Sequence, residues 1–302
     1  MALEAGEVMH QVYAGVRIWQ LENKQKLPKH ALATANRIFG AQRWLKILET
    51  VGKKNADERE HIIAFCFAIL HTAKWEDNPD DRIRTIANME MSAIHYVDER
   101  LYGMEDWPLY VRDLKDPKCM IGIEQVFDVV MEFSDGKLIR YIGTVDGLVQ
   151  KAATEEWVLD ENKTASRLDD GWRMSFDMSH QITAYCAAST TVFGFPVFKA
   201  RVTGCKVKPA NKGEDVYVLE VARDEYAIRN WAAWVHYSAS MYEQYKDDFE
   251  LAPRFTHSCN RFFRPCSLLA FCCDTPQGRI EQFEQMVPAD QSPSEKSIAE
   301  GV

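Results

Sequence analysis

The chain has 302 residues and a formal net charge of −9, from 36 Lys and Arg against 45 Asp and Glu. That length suffices for a large buried core, and the acidity excludes a uniformly basic nucleic-acid-binding surface. There is no run of about eighteen apolar residues and no basic-then-apolar leader. The eight cysteines, with Cys272 beside Cys273, follow no regular framework, so a soluble protein in a reducing cytoplasm is expected, with no membrane partner.

Taken in chain order, residues 3–24 read as a helix, with Val8, Val12, Val16 and Trp19 at three-to-four spacing. His10 falls near that stripe. Segments 30–53, 57–74 and 79–100 are helix-like as well, the last preceded by Asp77-Asn78-Pro79-Asp80 as a cap and first turn. These helices stand between His10 and the strands and are expected to form an arch over them. Residues 105–118, with Pro108 and Pro117, read as irregular.

Strands follow. Cys119–Phe133 alternates, Ser134-Asp135-Gly136-Lys137 is a hairpin turn, and Leu138–Val149 is the return strand. Trp157–Lys163 is a third strand. A helix over 175–193, strands over 197–206 and 215–222 joined by a turn at Asn211-Lys212-Gly213, and a long helix over 224–248 complete the pattern. That last helix carries Tyr226, Trp231, Trp234, Tyr237, Met241 and Tyr245, a spacing that reads as packing in preference to a base-stacking platform. Trp157, Trp172 and Phe176 fit either role. Basic residues gather at Lys199 to Lys212 and at Arg254, Arg261 and Arg264; such clusters are solvated surface unless they meet phosphate. The tail 286–302, poor in apolar residues, reads as disordered. No internal repeat is present.

The chemistry concentrates in Trp157-Val158-Leu159-Asp160-Glu161-Asn162-Lys163-Thr164 and, upstream, Gly143-Thr144-Val145-Asp146. Side chains two apart on a strand share a face, so Glu161 and Lys163 project one way and Asp160 and Asn162 the other. An acid and a lysine on one face, with a second acid on a neighbouring strand, suit a site where carboxylates hold a hard divalent cation and the amine orients an attacking water. The plain alternative is an exposed charged turn. Asp160 competes with Glu161 as the working acid; Glu161 is favoured because it shares the lysine's face.

These segments resemble motifs II and III of the PD-(D/E)xK nuclease superfamily, in its RecB-type branch of phage exonucleases and four-cysteine CRISPR-associated exonucleases. Gln181-Ile182-Thr183-Ala184-Tyr185 resembles that branch's Q-x-x-x-Y motif, and Gly6-Glu7-Val8-Met9-His10 its G-x-x-x-H motif. The order is the family's and spans residues 3 to about 190. The resemblance implies an α/β fold, a restriction-endonuclease-like central mixed sheet flanked by helices, with an N-terminal helical arch within 25–105. The nuclease domain would cover 1–285, ending in a cysteine-bearing arm at 250–275.

It further implies a DNA nuclease acting on ends or single strands, with a recombination or replication protein as a further partner, in a bacterial or phage-infected cell. The runner-up is a catalytically silent nuclease-like protein that binds DNA or a partner. Asp146 and Glu161 would ligate Mg2+ or Mn2+ with the Asn162 carbonyl, and Lys163 would position water. His10 would add a nitrogen ligand, which leans the site toward manganese. Were His10 only a helix-surface histidine, Gly6 one turn before it would have no reason to be small. Gln181 and Tyr185, one helical turn apart, would face the cleft. Glu124 resembles the acid that precedes the hairpin and is either metal-facing or just behind the ligands. Cys259, Cys266 and Cys272 stand where iron–sulfur members keep their last three cysteines, but the upstream cysteine of those members has no counterpart before Gly6. Cys273 or Cys66 supplies the fourth ligand, His257 completes a zinc set, or these are buried apolar residues.

Overall fold

The computed structural model describes residues 2–52, 57–73, 75–79, 81–103, 107–207 and 215–246. Residues 1–236 form one unit; of the second, 237–302, only the end of a long helix is described. The cysteine-bearing arm, the tail and the turn at Asn211-Lys212-Gly213 lie outside the described residues.

Helix α1 (Ala2–Asn23) carries a buried stripe of Met9, Val12, Tyr13, Val16 and Ile18. Where one helix is expected over 30–53 there are two, α2 (Pro28–Phe39) and α3 (Ala41–Val51). The break is Gly40, at φ 77°, a left-handed conformation that glycine adopts without steric cost. Helix α4 (Glu58–Thr72) starts where the Asp57 side chain accepts from the Glu60 N–H at 3.0 Å.

Helix α5 (Ile86–Asp98) begins later than expected. Asp77 does not cap a helix at Pro79; it accepts from the Ile86 N–H at 2.8 Å. Asp81 draws in the Ile83 and Arg84 N–H groups, each at 3.0 Å, and that local turn competes with helix until Thr85 caps the Asn88 N–H. A π-helical turn, Glu99–Gly103, follows and carries Arg100.

Strands β1 (Ile123–Glu132), β2 (Leu138–Gln150), β3 (Trp157–Ala165), β4 (Lys199–Lys206) and β5 (Val216–Ala222) form one mixed sheet among the described residues, in sequence order. Its β3–β4 pair is parallel and the others are antiparallel. The parallel pair needs a crossover, supplied by α6 (Asp170–Met174) and α7 (His180–Phe193). The expected helix over 175–193 is thus shorter, its start set by the Ser179 side chain accepting from the Ile182 N–H. Helix α8 (Glu225–Tyr245) closes the described chain. The β1–β2 turn places Gly136 at φ 81°.

Apolar residues divide between two cores. One joins α1 to α5 with Ile123, Val149 and Val158; the other joins α7 to Phe127, Leu148, Leu159 and Val202. Helices flank the sheet on both faces, and α1 lies directly against β1 and β3, with α2, α3, α4 and α5 continuing its core. Among the described residues no helix is long and apolar enough to cross a membrane. Leu70, fully buried in α4, tests the first core. Leu70→Ala is expected to cost about 2–5 kcal/mol in urea unfolding, from lost transfer energy and the cavity left behind.

Candidate functional site

The register of the sheet brings three acids into one row. Ile123 faces Gly147 and Gln125 faces Val145, so Glu124 stands opposite Asp146. Leu148 faces Leu159, and continuing that register by two residues sets Asp146 opposite Glu161. Like charges directly opposite one another repel, and burial adds to the cost of ionising them. Burial first, then Asp146, raises the carboxyl of Glu124 to about 8 and that of Glu161 to about 7.

Asp146 behaves differently. Burial raises its pKa, but His10, Lys163 and Arg17 outweigh this and hold it below the ordinary carboxylate value. His10 reaches it from α1, Nδ1 to Oδ1 at 3.3 Å. Burial depresses the imidazole pKa, but Asp146 and Glu124 raise it overall. Ligand atoms of His10, Glu124 and Asp146 all lie within 4.8 Å of one another. The Glu124 Oε1 is buried without a hydrogen-bond partner, and its residue sits at φ 45°. Strain of this kind persists only where the surroundings impose it. Here Arg37 donates to the carbonyls of both Ile123 and Glu124.

On β3 the two faces separate as the strand period requires. Lys163 Nζ is 3.2 Å from Glu161 Oε2 on one face, where burial would lower the amine but Glu161 and Asp146 raise it. Asp160 and Asn162 point the other way, and both meet Arg100, at 2.8 and 3.4 Å. Asp160 is fully buried and also meets Arg17 and Arg201, at 3.2 and 3.0 Å. Burial opposes its ionisation, yet the three guanidiniums hold it far below the ordinary value. Asp160 is therefore committed to an ion-pair network, while Glu161 faces the lysine.

Side chains also bridge β2 and β3 directly. The Asn162 N–H donates to Asp146 Oδ2 at 2.8 Å, and the Asp146 N–H to Glu161 Oε1 at 3.3 Å. A strand residue sends its N–H and C=O to the same edge, so the Asn162 carbonyl opens toward Asp146. On α7, Gln181 Nε2 donates to Tyr185 Oη at 3.1 Å. Burial and Glu161 raise the Tyr185 phenol, and Lys163 lowers it.

Several expectations change. Gly6 is not required by close packing, because a Cβ there would meet Thr164 Oγ1 at 3.7 Å, an ordinary contact. Among the described residues of the basic group from Lys199 to Lys212, Lys199 pairs with Glu156 at 2.8 Å, Arg201 with Asp160, and Lys206 with Asp215 at 3.3 Å; Lys208 and Lys212 lie outside the described residues. Trp157 packs on Tyr110 and Phe195, and Trp172 on Phe176 and Tyr217. On α8 only Trp231 is buried; Tyr226, Trp234, Tyr237 and Tyr242 are exposed, so most of that stripe is not core. Cys66 is enclosed in α4, where burial raises its thiol to about 12, the state of an inert packing residue. Cys259, Cys266, Cys272, Cys273 and His257, like Arg254, Arg261 and Arg264, lie outside the described residues. Arg17, Arg37, Arg100 and Arg201 were missed; the one signal was an arginine at position 17 on the apolar stripe of α1, two turns after His10.

No model of a known protein family matches the chain, and no curated protein does either.

The site has a defined pH signature. Glu124, Glu161 and His10 bind protons more tightly folded than unfolded, so the stability they contribute is present at low pH and lost as pH rises toward about 8. Asp146 and Asp160 have the opposite sign: theirs is present above the ordinary aspartate value and lost as pH falls below it. A divalent cation bound by the ionised carboxylates competes with the protons of the first group. The shift in thermal midpoint on adding Mn2+ to chelator-treated protein is therefore expected to be larger at pH 8 than at pH 5. An equal shift at both would mean that these carboxyls do not hold the ion.

Proposed function

We propose that this protein is a metal-dependent deoxyribonuclease of the PD-(D/E)xK superfamily, RecB-type branch, with a restriction-endonuclease-like arrangement of its α/β fold. On this reading it acts as an exonuclease on DNA ends or single strands. The observation that carries the reading is the meeting of His10 with Asp146 at 3.3 Å beside the Lys163–Glu161 pair at 3.2 Å. These residues come from an N-terminal helix and two strands more than a hundred residues later, and they are the ones that carry the motif resemblance.

The donor set fits a divalent cation. Two carboxylates and an imidazole offer oxygen and nitrogen atoms at close quarters, and Glu124 brings an oxygen with no hydrogen-bond partner. His10, Asp146 and Glu124 would hold the ion, with Glu161 and the Asn162 carbonyl at its margin. Imidazole favours Mn2+ over Mg2+. Such an ion, when bound, supplies Lewis-acid polarisation of a phosphoryl oxygen and lowers the pKa of water.

The chain's own groups do the remaining work. Lys163 carries a positive charge whose side chain is 21% exposed, placed to orient water and to stabilise charge developing on a phosphate. Glu161 fixes that amine from behind. The Gln181–Tyr185 pair, within electrostatic reach of Lys163 and Glu161, borders the same face and is suited to contact the strand being cut.

Linear DNA incubated with the protein and Mn2+ tests this. Wild type is expected to degrade it, and Lys163→Ala and Asp146→Ala to slow degradation by about two to three orders of magnitude. Equal degradation by all three proteins would defeat the assignment, and none by the wild type would mean a silent scaffold. The cysteine set is judged separately: a broad visible absorption band in anaerobically purified protein, lost on Cys266→Ala, is expected for an iron–sulfur cluster. A colourless protein would exclude one.

A further inference from the structure

One side chain of α1 ties β2 to β3 beside the acids. Backbone pairing runs from Gln150–Trp157 to Leu148–Leu159 and ends there, although both strands continue past Asp146 and Glu161. At the next positions Arg17 enters from α1. Its Nη1 donates to the Asp146 carbonyl at 2.8 Å and its Nη2 to the Asp160 carbonyl. Those two carbonyls belong to facing strands, so the guanidinium links β2 and β3 through their main chains. Gly147 leaves room for it: a Cβ there would lie 3.0 Å from Arg17 Cζ and 3.0 Å from the Asp160 carbonyl. The Asp160 carboxylate accepts from Arg17 Nε and Nη2 at 3.3 and 3.2 Å and so fixes the plane of the fork.

We infer that Arg17 is a positioning residue: it ties the main chains of β2 and β3 together beside the acids and thereby sets where the Asp146 carboxylate, the Glu161 carboxylate and the Asn162 carbonyl stand. This role rests on reading the site as a cation site. Beside this tie, Asp146 Oδ2 takes the Asn162 N–H and Glu161 Oε1 takes the Asp146 N–H, so the same stretch of the two strands orients both carboxylates. A lysine cannot substitute, because a single ammonium lacks the planar fork that spans two carbonyls. Without the fork the Asp146 and Asp160 carbonyls would lose their shared donor, and the acids carried beside those peptides would lose a fixed frame.

The test measures Mn2+ binding to the full chain without DNA, from the loss of the free-ion magnetic resonance signal. It is run well below the unfolding midpoint of every variant, with circular dichroism to verify folding. Wild type is expected to bind. Arg17→Ala and Arg17→Lys are expected to weaken binding at least about tenfold, and millimolar ethylguanidinium to restore Arg17→Ala but not Arg17→Lys. Gly147→Ala keeps the arginine but crowds it; it should lose affinity too, without rescue. Leu70→Ala, a destabilised control that is not one of the site's residues, should bind as wild type does. If Arg17→Ala does not fold, Arg17→Lys and Gly147→Ala are read alone, and wild-type affinity in both overturns the positioning role. Wild-type affinity in a folded Arg17→Ala overturns it as well, while leaving the nuclease reading intact. Failure of the wild type to bind Mn2+ overturns the cation site itself.

Discussion

The constraint that organises this molecule is the burial of a charge network between the first helix and the sheet. Asp160 has no exposure, and Arg17 almost none. Ions removed from water are tolerated only when paired and hydrogen-bonded throughout. Asp160 meets this condition with contributions from three parts of the chain: α1, the π-helical turn after α5, and β4. Arg100 also lies over Tyr96 at 5.1 Å, and Arg201 over Trp107 at 4.2 Å. Each partner thus anchors a different element to the same carboxylate. Removing that carboxylate would strand several guanidiniums at once, so the network resists partial loss.

The same network explains how a strand can serve two masters. The period of two assigns Asp160 and Asn162 to the side of α1 and α5, and Glu161 and Lys163 to the side of α7. One face is consumed by architecture. The other keeps a raised acid and an amine, with the acid row of Glu124, Asp146 and Glu161 running across it. Lys163, His10 and Arg17 offset this crowding only in part, so Glu124 and Glu161 keep raised pKa values.

Much of this was legible in the residues. The hairpin turn at Ser134 to Lys137 fixes the β1–β2 register, and the acid-x-lysine spacing on β3 separates Glu161 from Asp160. What escaped has physical reasons. Arg17 sits where an apolar stripe is expected, and nothing local says that its partner is 143 residues away. Glu124 takes a positive φ where Arg37, from a distant helix, binds its carbonyl and that of Ile123, a tertiary setting that propensity does not carry. Gly40 and Asp81 are turn signals inside segments whose apolar spacing favours helix, and in both cases the local chemistry prevailed. The exposed aromatic residues of α8 kept the spacing of a core stripe without being covered among the described residues.

The crossed bonds between Asp146 and its neighbours bear on how such a centre is dissected. Because Asp146 Oδ2 accepts a main-chain N–H, an asparagine at that position keeps an oxygen for the same donor, whereas alanine removes it. Asparagine thus strips the negative charge and preserves the inter-strand tie; alanine abolishes both together. The difference between the two replacements separates electrostatics from scaffolding at a single position.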